Sequence, residues 1–395
     1  MIETAIKIQN PVEKAGYDMI YLVTCSLHGI IPEQSIVEQM DLTVLYRMAK
    51  YHSLTAMIFM ALESTDILLR CKDVQLVKTW KDAKEKAIRK NLMLDVERNE
   101  ILSFMEREGI WYLPLKGILL KEMYPKLGMR QMADNDILYD EQYQKELLTF
   151  MTKRGYKASQ IGKGNHDVYT KVPVYNYELH TALYGSAFDK SWEEYYRNVK
   201  QRMLKDRDNG FGYHFKAEDF YTYLMTHAYK HYSGSGIGLR SLVDTYVYLQ
   251  QKEAKFNWHY VSVELEELRI TEFERESRQL CKKLFSQKRY SLTQMESEAL
   301  TYYLGCGTYG TMKNNIEKKL RKCQPDEKAV TIVTKLKYYF GRLIPDMQHY
   351  KNYAPIVYQH KMLIPFYLIF RLIRGAIRKR KLIINEIHIV HKIRR

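Results

Sequence analysis

The stretch that decides the fold is LPLKGILLKEMYPKLGMRQMADNDILYD, residues 113–140. Residues 110–115 (IWYLPL) form a short apolar and aromatic run, which predicts a buried strand. Residues 117–123 predict a short helix that stops before Pro125, because the residue preceding a proline disfavours helical geometry. Residues 132–139 (MADNDILY) then predict a second strand, so strand, helix and strand follow one another closely.

Both flanks of this stretch extend the same pattern. Residues 84–108 have apolar residues at helical spacing and predict a long helix that ends at Gly109. Residues 141–154 predict a helix after the second strand, and residues 167–172 and 174–179 predict an antiparallel pair of strands. The order strand, helix, strand, helix, strand, strand predicts an α+β fold with a mixed α/β core.

The chain as a whole predicts three modules. Residues 1–85 contain helical apolar spacing and predict a helical N-terminal module. Residues 86–190 contain the mixed core. Residues 191–395 return to helical spacing and predict an all-helical C-terminal module with a basic end. The length of 395 residues suits such a division.

Two carboxylates stand out at the start of the second predicted strand. Asp134 and Asp136 project to the same face because side chains alternate along a strand, while Asn135 points to the other face. Like charges held together are destabilising unless a cation neutralises them, and hard oxygen ligands suit Mg²⁺ or Mn²⁺. Glu178 is the best candidate for a third carboxylate, since its strand is expected to lie beside that of the two aspartates.

Residues 113–140 closely resemble the signature of the uncharacterised bacterial nucleotidyltransferase family within the polymerase-β-like superfamily. The similarity extends to Glu178-Leu179-His180, which resembles the acid-x-His element of that family, and to the flanking helices, so it covers nearly the whole chain. The central motif consists of Lys116-Gly117 after an apolar strand, Tyr124-Pro125, Gly128, Arg130 and Asp134-x-Asp136.

The resemblance implies a metal-dependent enzyme that transfers a nucleoside monophosphate from a nucleoside triphosphate, such as ATP, to a hydroxyl acceptor and releases pyrophosphate. The acceptor stays open among small molecules, proteins and RNA. Carried over to this chain, the family pattern implies three kinds of site residue: Asp134, Asp136 and Glu178 as catalytic metal ligands, Lys116 and Gly117 at the phosphates, and Arg130 at the triphosphate or the carboxylates.

Two departures from the pattern keep a second hypothesis open. Most polymerase-β-like enzymes have Gly-Ser where this chain, like its family, has Lys116-Gly117. Asn135 occupies a position that is usually apolar, so its amide is expected to face the core and to need a hydrogen-bond partner. The alternative is therefore a non-catalytic nucleotide- or polyanion-binding protein that retains the fold.

The net charge of +16 predicts a polyanionic partner. Residues 371–381 hold six basic side chains and no acidic one. Two interpretations of this segment stay open, a solvated helix end and a contact with a polyanion from Arg371 to Lys381.

The remaining features set the expected compartment. Five scattered cysteines without a CxxC pair predict reduced thiols and a cytoplasmic protein. No apolar run approaches the roughly 20 residues of a membrane helix, so no transmembrane segment is expected. His227 and His231 have helical i, i+4 spacing, and a metal site with Asp244 is conceivable, but we interpret both as structural histidines.

Overall fold

A computed structural model of the chain describes residues 10–185, 189–287, 290–323, 330–345 and 347–393. The described residues form two compact units. The first contains the residues up to Tyr229 together with Gly238–Thr308, and the second contains Lys230–Ile237 and the residues from Tyr309 onward. Within the described ranges, no helix combines the length and the apolar character needed to cross a membrane.

The first unit begins with helices, as predicted. The last of them starts at Val74, ten residues before the predicted start at residue 84, because Asp73 accepts a hydrogen bond from the Leu76 amide (2.9 Å) and caps it. It ends beside Gly109, whose φ of +71° is in the left-handed region. These helices are α1 (Pro11–His28), α2 (Gln34–Val37), α3 (Leu42–Tyr51), α4 (Thr55–Leu62), α5 (Ile67–Arg70) and α6 (Val74–Arg107).

A five-stranded mixed sheet follows. Its strands are β1 (Tyr112–Pro114), β2 (Asn135–Tyr139), β3 (Lys157–Ser159), β4 (His166–Lys171) and β5 (Tyr175–His180), with α7 (Lys116–Lys121) and α8 (Gln144–Lys153) between them. The strand order is β1-β2-β5-β4-β3, and β2 and β5 are parallel whereas the other pairs are antiparallel. The predicted β4–β5 pair is confirmed; β3, only three residues long, was not predicted.

The register of β2 and β5 positions the site. Asp136 is opposite Glu178, and Asn135 is opposite Tyr177. One face of the sheet packs against α6, where the Tyr177 hydroxyl donates to the Leu94 carbonyl (2.7 Å). Because side chains alternate, Asp136 and Glu178 point to the opposite face from Tyr177.

A second, smaller sheet corrects one expectation. Residues 191–395 were expected to be wholly helical, but β6 (Met203–Lys205) and β7 (Tyr213–Phe215) form an antiparallel pair. Three-residue strands carry too little periodicity to be recognised in a sequence. The Tyr112 amide donates to the Phe211 carbonyl (3.1 Å), so the loop of this hairpin covers the outer edge of β1.

The regular structure in the rest of the described residues is helical. The helices predicted at residues 218–231, 239–252, 291–304 and 361–377 are confirmed, with ends shifted by a few residues. In the second unit, Ile316, Leu320, Tyr338 and Val390 form a small buried cluster. The helices are α9 (Lys190–Tyr195), α10 (Ala217–Tyr232), α11 (Leu239–Lys252), α12 (Trp258–Glu267), α13 (Thr271–Phe285), α14 (Gln294–Cys306), α15 (Met312–Lys322), α16 (Ile332–Leu343), α17 (Met347–Tyr353), α18 (Pro355–Gln359), α19 (Ile364–Arg378) and α20 (Arg380–Lys392).

Candidate active site at a carboxylate cluster

Three carboxylates lie together where β2 begins beside β5. Asp134 immediately precedes β2, Asp136 is its second residue, and Glu178 is the neighbour of Asp136 across the parallel pair. One oxygen of each carboxylate lies within 4.8 Å of one oxygen of each of the others. The structure therefore brings together the three acidic residues that the sequence singled out.

The cluster is electrostatically strained in the absence of a cation. Burial raises the pKa of Asp134, and the charge of Asp136 raises it further. The pKa of Glu178 is also raised, first by burial and then by Asp136 and Asp134. Burial acts on Asp136 in the same direction, but its attractive interactions, led by the charge of Lys116 and including those with His180, together outweigh burial and hold the pKa of Asp136 below its usual range. A site with this charge balance favours a bound cation.

Lys116, the first residue of α7, is the closest cation to the cluster. Its Nζ lies 3.1 Å from Asp136 Oδ2. The same ammonium group lies 2.8 Å from His227 Nε2, which accepts a hydrogen bond from it. His227 thus belongs to the site, although its sequence spacing gave it a structural interpretation.

A second lysine approaches from α6. Lys90 Nζ donates to the Ala133 carbonyl (2.9 Å), next to Asp134. Burial lowers the pKa of Lys90, and the charge of Asp134 opposes that shift. The sequence contained no signal for this residue, because a lysine on a long polar helix resembles any exposed lysine.

One carboxylate oxygen of Asp136 has no hydrogen-bond partner among the described residues. This atom, Oδ1, is buried, while Oδ2 is paired with Lys116. A buried carboxylate oxygen without a partner is costly. A metal ion held by Asp134, Asp136 and Glu178 would supply that partner, and the oxygen donors of these residues fit a hard divalent cation.

Gly117 is the second residue of α7, at the predicted turn between strand and helix. A Cβ there would lie 3.1 Å from Arg130 Nη1 and 3.1 Å from Met132 Cε. The missing side chain therefore leaves room for the Arg130 guanidinium, which lies against the backbone of the turn.

Arg130 is bound inside the protein. Its Nε and Nη2 donate to the two carboxylate oxygens of Asp244 on α11, at 2.8 and 3.0 Å. The Tyr124 hydroxyl donates to the same carboxylate (2.7 Å). Only 7% of Arg130 is exposed. The predicted contact of Arg130 with a triphosphate would require this buried ion pair to break, so the geometry favours a positioning role.

Asn135 faces the core, as its position in β2 predicts. It is fully buried, and its Oδ1 accepts a hydrogen bond from Arg98 Nη1 on α6 (3.3 Å). Arg98 is held in turn by Asp95 (2.6 Å). Within the described part of the chain, Asn135 Nδ2 has no partner. Of the two polar groups of the Asn135 side chain, therefore, only the amide oxygen has a hydrogen-bond partner in the described residues.

The conceivable metal site of His227, His231 and Asp244 does not form. In the described ranges, the converging groups of metal-binding side chains are Asp134, Asp136 and Glu178, and His166, Glu178 and His180. Asp244 is occupied by Arg130.

The two aspartates should affect stability in opposite directions. In EDTA at pH 7, Asp134→Asn should raise Tm by about 2 °C, because it removes a buried charge repelled by its neighbours, worth about 1 kcal/mol. Asp136→Asn should lower Tm, because Lys116 loses its partner. The folded pKa of Asp134 lies above its unfolded value, so the gain should grow as pH rises through that interval and vanish in acid.

Thermal unfolding with and without Mg²⁺ tests this. Asp208, an exposed aspartate of the same unit, provides the matched control Asp208→Asn, which should change nothing. Added Mg²⁺ should stabilise the unsubstituted protein and remove the advantage of Asp134→Asn. Equal shifts of the same sign for both active-site variants would contradict the charge balance described above.

Comparison with known proteins gives one match. No curated protein and no solved structure matches the chain. Residues 38–286, more than half of the sequence, match a family described as an uncharacterised nucleotidyltransferase. The matched segment includes every strand of both sheets and all three carboxylates. The chain therefore belongs to this nucleotidyltransferase family.

Proposed function

We propose that the protein transfers a nucleoside monophosphate from a nucleoside triphosphate to a hydroxyl acceptor, with Mg²⁺ or Mn²⁺ held by Asp134, Asp136 and Glu178. The proposal is supported by the convergence of these three carboxylates in a chain that belongs to the nucleotidyltransferase family. The position of one aspartate just before β2 and of another within it, beside an acid on the parallel neighbour β5, also supports a polymerase-β-like core.

In the proposed reaction, the acceptor oxygen bonds to the α-phosphorus and the hydroxyl loses its proton. The bond from the α-phosphorus to the α–β bridging oxygen breaks, and pyrophosphate leaves with the electron pair. Bound divalent ions supply activation of the hydroxyl and neutralisation of the phosphates. The protein contributes the carboxylates that hold those ions. It also contributes the Lys116 ammonium group, which lies at the cluster and has the positive charge needed to attract a phosphate.

Arg130 enters the proposal as a positioning residue. It joins the α7 turn to Asp244 on α11 and lies against Gly117. This arrangement fixes the α7 turn and so keeps Lys116, the residue before Gly117, beside Asp136. We therefore assign phosphate contact to Lys116 and the neighbouring backbone of Gly117, and structural support to Arg130.

Label transfer tests the proposal directly. The purified protein is incubated with each α-labelled nucleoside triphosphate, Mg²⁺ and fractionated cell extract, and the fractions distinguish small-molecule, protein and RNA acceptors. We expect one labelled acceptor class and release of pyrophosphate. Absence of transfer with every triphosphate, together with tight binding of one, would favour the binding protein instead.

A binding protein without turnover is the second candidate. The ammonium group of Lys116 already neutralises Asp136, and the buried Nδ2 of Asn135 has no hydrogen-bond partner among the described residues. Calorimetry separates the two candidates. An enzyme of the proposed type requires Mg²⁺ for productive triphosphate binding, whereas binding that is indifferent to Mg²⁺ would support the second candidate.

The basic end defines a further proposed contact, with a polynucleotide. Arg374 and Arg378 on α19, Lys379 between the two helices and Arg380 on α20 are exposed. Deletion of the basic end would be a poor test because it would also remove packing contacts of the second unit. Val390 belongs to the buried cluster, and Glu386 accepts a hydrogen bond from the Tyr338 hydroxyl (2.6 Å). Charge removal leaves those interactions intact.

Replacing these four basic residues by glutamine should weaken retention of single-stranded RNA at low salt. The dependence of log K on log salt should become shallower by about 0.7 for each phosphate that the protein no longer neutralises. A variant with the same net charge but with substitutions in the first unit should keep the original slope; its exposed sites are Lys50, Lys72, Lys78 and Lys81. If RNA retention weakens equally in both variants, the binding depends on net charge alone and the proposed contact at the basic end is wrong.

The cysteines agree with a reducing compartment. All five are free thiols, and three of them, Cys25, Cys281 and Cys306, are buried. These thiols support the proposal of a cytoplasmic protein.

A further inference from the structure

A second group of metal-binding side chains adjoins the carboxylate cluster. His166 on β4 and His180 on β5 are register partners across an antiparallel pair, and Glu178 lies two residues before His180 on the same face. The two imidazole rings are 4.9 Å apart and inclined by 32°. The sequence pointed only to hard oxygen ligands, whereas this group contains two ring nitrogens.

The potential ligand atoms converge on one point. Glu178 Oε2 lies 3.6 Å from His166 Nε2 and 3.8 Å from His180 Nε2. All three ligand atoms lie within 4.8 Å of one another. A tetrahedral zinc site with bonds of about 2.1 Å has ligand atoms roughly 3.4 Å apart, so small side-chain rotations close the geometry.

Hydrogen bonds orient the His166 ring. The Asn165 Nδ2 donates to the carbonyls of Ala182 (3.0 Å) and Leu183 (3.2 Å), so Asn165 Oδ1 is the atom that faces His166 Nδ1, at 3.3 Å. An amide oxygen only accepts, and Nδ1 therefore carries the hydrogen. In a neutral ring this leaves the lone pair of Nε2 directed toward Glu178. Metal-bound histidines commonly have their second ring nitrogen held in this way.

His180 provides an independent observation. Both of its ring nitrogens are buried, and neither has a hydrogen-bond partner among the described residues. Its Nε2 also lies 3.8 Å from Asp136 Oδ1, another buried atom without a hydrogen-bond partner. Two such atoms facing each other are costly unless each has a partner of its own. An ion at each of the two ligand groups would provide those partners, one for the His180 nitrogen and one for the Asp136 oxygen.

We propose that His166, Glu178 and His180 bind a borderline-soft divalent ion of the zinc class, separate from the hard ion of the carboxylate cluster and joined to it through Glu178. Two imidazoles and one carboxylate form a ligand set that leaves a coordination position open, and nitrogen ligands suit Zn²⁺ or Co²⁺ far better than Mg²⁺. His166 and Glu178 are 29% and 28% exposed, which gives the ion access from solvent. The proposal concerns metal choice and holds whether or not the protein transfers a nucleotide.

Cobalt titration tests the site on the full-length protein. Co²⁺ is added in the presence of excess Mg²⁺, which occupies the oxygen ligands, and binding is followed by the visible absorption of cobalt and by calorimetry. The variants are His166→Ala and His180→Ala. His259→Ala is the matched control, since His259 is exposed on α12, and Asp134→Asn removes a ligand of the neighbouring cluster only.

We expect the unsubstituted protein, His259→Ala and Asp134→Asn to bind one Co²⁺ with a visible band typical of nitrogen ligation, and Zn²⁺ to displace it. Each active-site histidine variant should bind at least roughly 10-fold more weakly, because removal of even an outer partner of a metal ligand costs 10- to 100-fold. Thermal unfolding establishes that each variant is folded.

Two results would overturn the proposal. If Co²⁺ binding resists both histidine substitutions but disappears in Asp134→Asn, the ion belongs to the carboxylate cluster. If the folded, unsubstituted protein does not bind Co²⁺ or Zn²⁺ in excess Mg²⁺, the histidines serve instead as charge partners of Glu178. Neither result depends on transferase activity, so the failure of this proposal is distinguishable from the failure of the proposed reaction.

Discussion

Asparagine at position 134 or 136 should lower the rate of nucleotide transfer by at least roughly 1,000-fold, equivalent to about 4 kcal/mol of transition-state stabilisation. An amide keeps the size of the side chain but removes the negative charge that holds a hard divalent ion. Asp136 matters through both of its oxygens, since one is paired with Lys116 and the other is buried without a hydrogen-bond partner in the described part of the chain.

The measurement is kcat for label transfer at saturating Mg²⁺, with Asp208→Asn as the exposed control. Loss of activity in Asp134→Asn cannot be attributed to unfolding, because that variant is expected to be more stable than the unsubstituted protein without metal. Transfer that continues unchanged in both active-site variants would remove the proposed mechanism.

Breaking the buried pair of Arg130 and Asp244 should destabilise the protein by about 3–5 kcal/mol. Arg130→Met leaves the Asp244 carboxylate buried with only the Tyr124 hydroxyl to stabilise it. Burial raises the pKa of Asp244, but the attractive interactions of this carboxylate, led by the charge and the hydrogen bonds of Arg130, together outweigh burial, and the net pKa is lowered. The stability from this pair is therefore complete near neutral pH and is lost as pH falls through the folded pKa.

Urea unfolding measures this effect against an exposed pair. Arg197 lies 3.8 Å from Glu194, and both side chains are more than 60% exposed, so Arg197→Met should cost less than about 1 kcal/mol. The double variant Arg130→Met/Asp244→Leu should lose less than the sum of the single changes, because no unpaired charge remains.

Enzyme kinetics separate positioning from phosphate contact at Arg130. Arg130→Lys keeps a positive charge but cannot form the two-pronged contact with Asp244, so we expect reduced stability and a modest change in KM for the triphosphate. A large rise in KM with unchanged stability would restore Arg130 as a phosphate ligand.

The pair of Asp134 and Asp136 was predictable because its geometry is local, whereas the position of Glu178 beside it depends on strand pairing. The i, i+2 spacing of Asp134 and Asp136 places them on one face of any strand, and the run that contains Glu178 has the pattern of a strand. Lys116 and Gly117 were also placed correctly, since a short apolar strand followed by a glycine implies a turn. The division into modules at residues 85 and 190 stays a prediction.

The contacts of Arg130 and His227 were not foreseen from the sequence, because both are made with residues far away in the chain. Arg130 is 114 residues from Asp244, and Lys116 is 111 residues from His227. Neither pair produces a periodic signal, so the sequence placed Arg130 at the triphosphate or the carboxylates and indicated a structural role for His227. The hairpin of β6 and β7 was missed for a related reason, because it is stabilised by covering the edge of β1.

The amino-acid sequence by itself determined the order of the main helices and of β1, β2, β4 and β5, the spacing of the two aspartates and the excess of positive charge, since propensity, alternation and charge are local properties. Only the tertiary structure decided which strands are neighbours and in what register. That register places Glu178 beside Asp136 and His166 beside His180, because strand pairing depends on the burial of a whole face and on contacts between residues far apart in the chain.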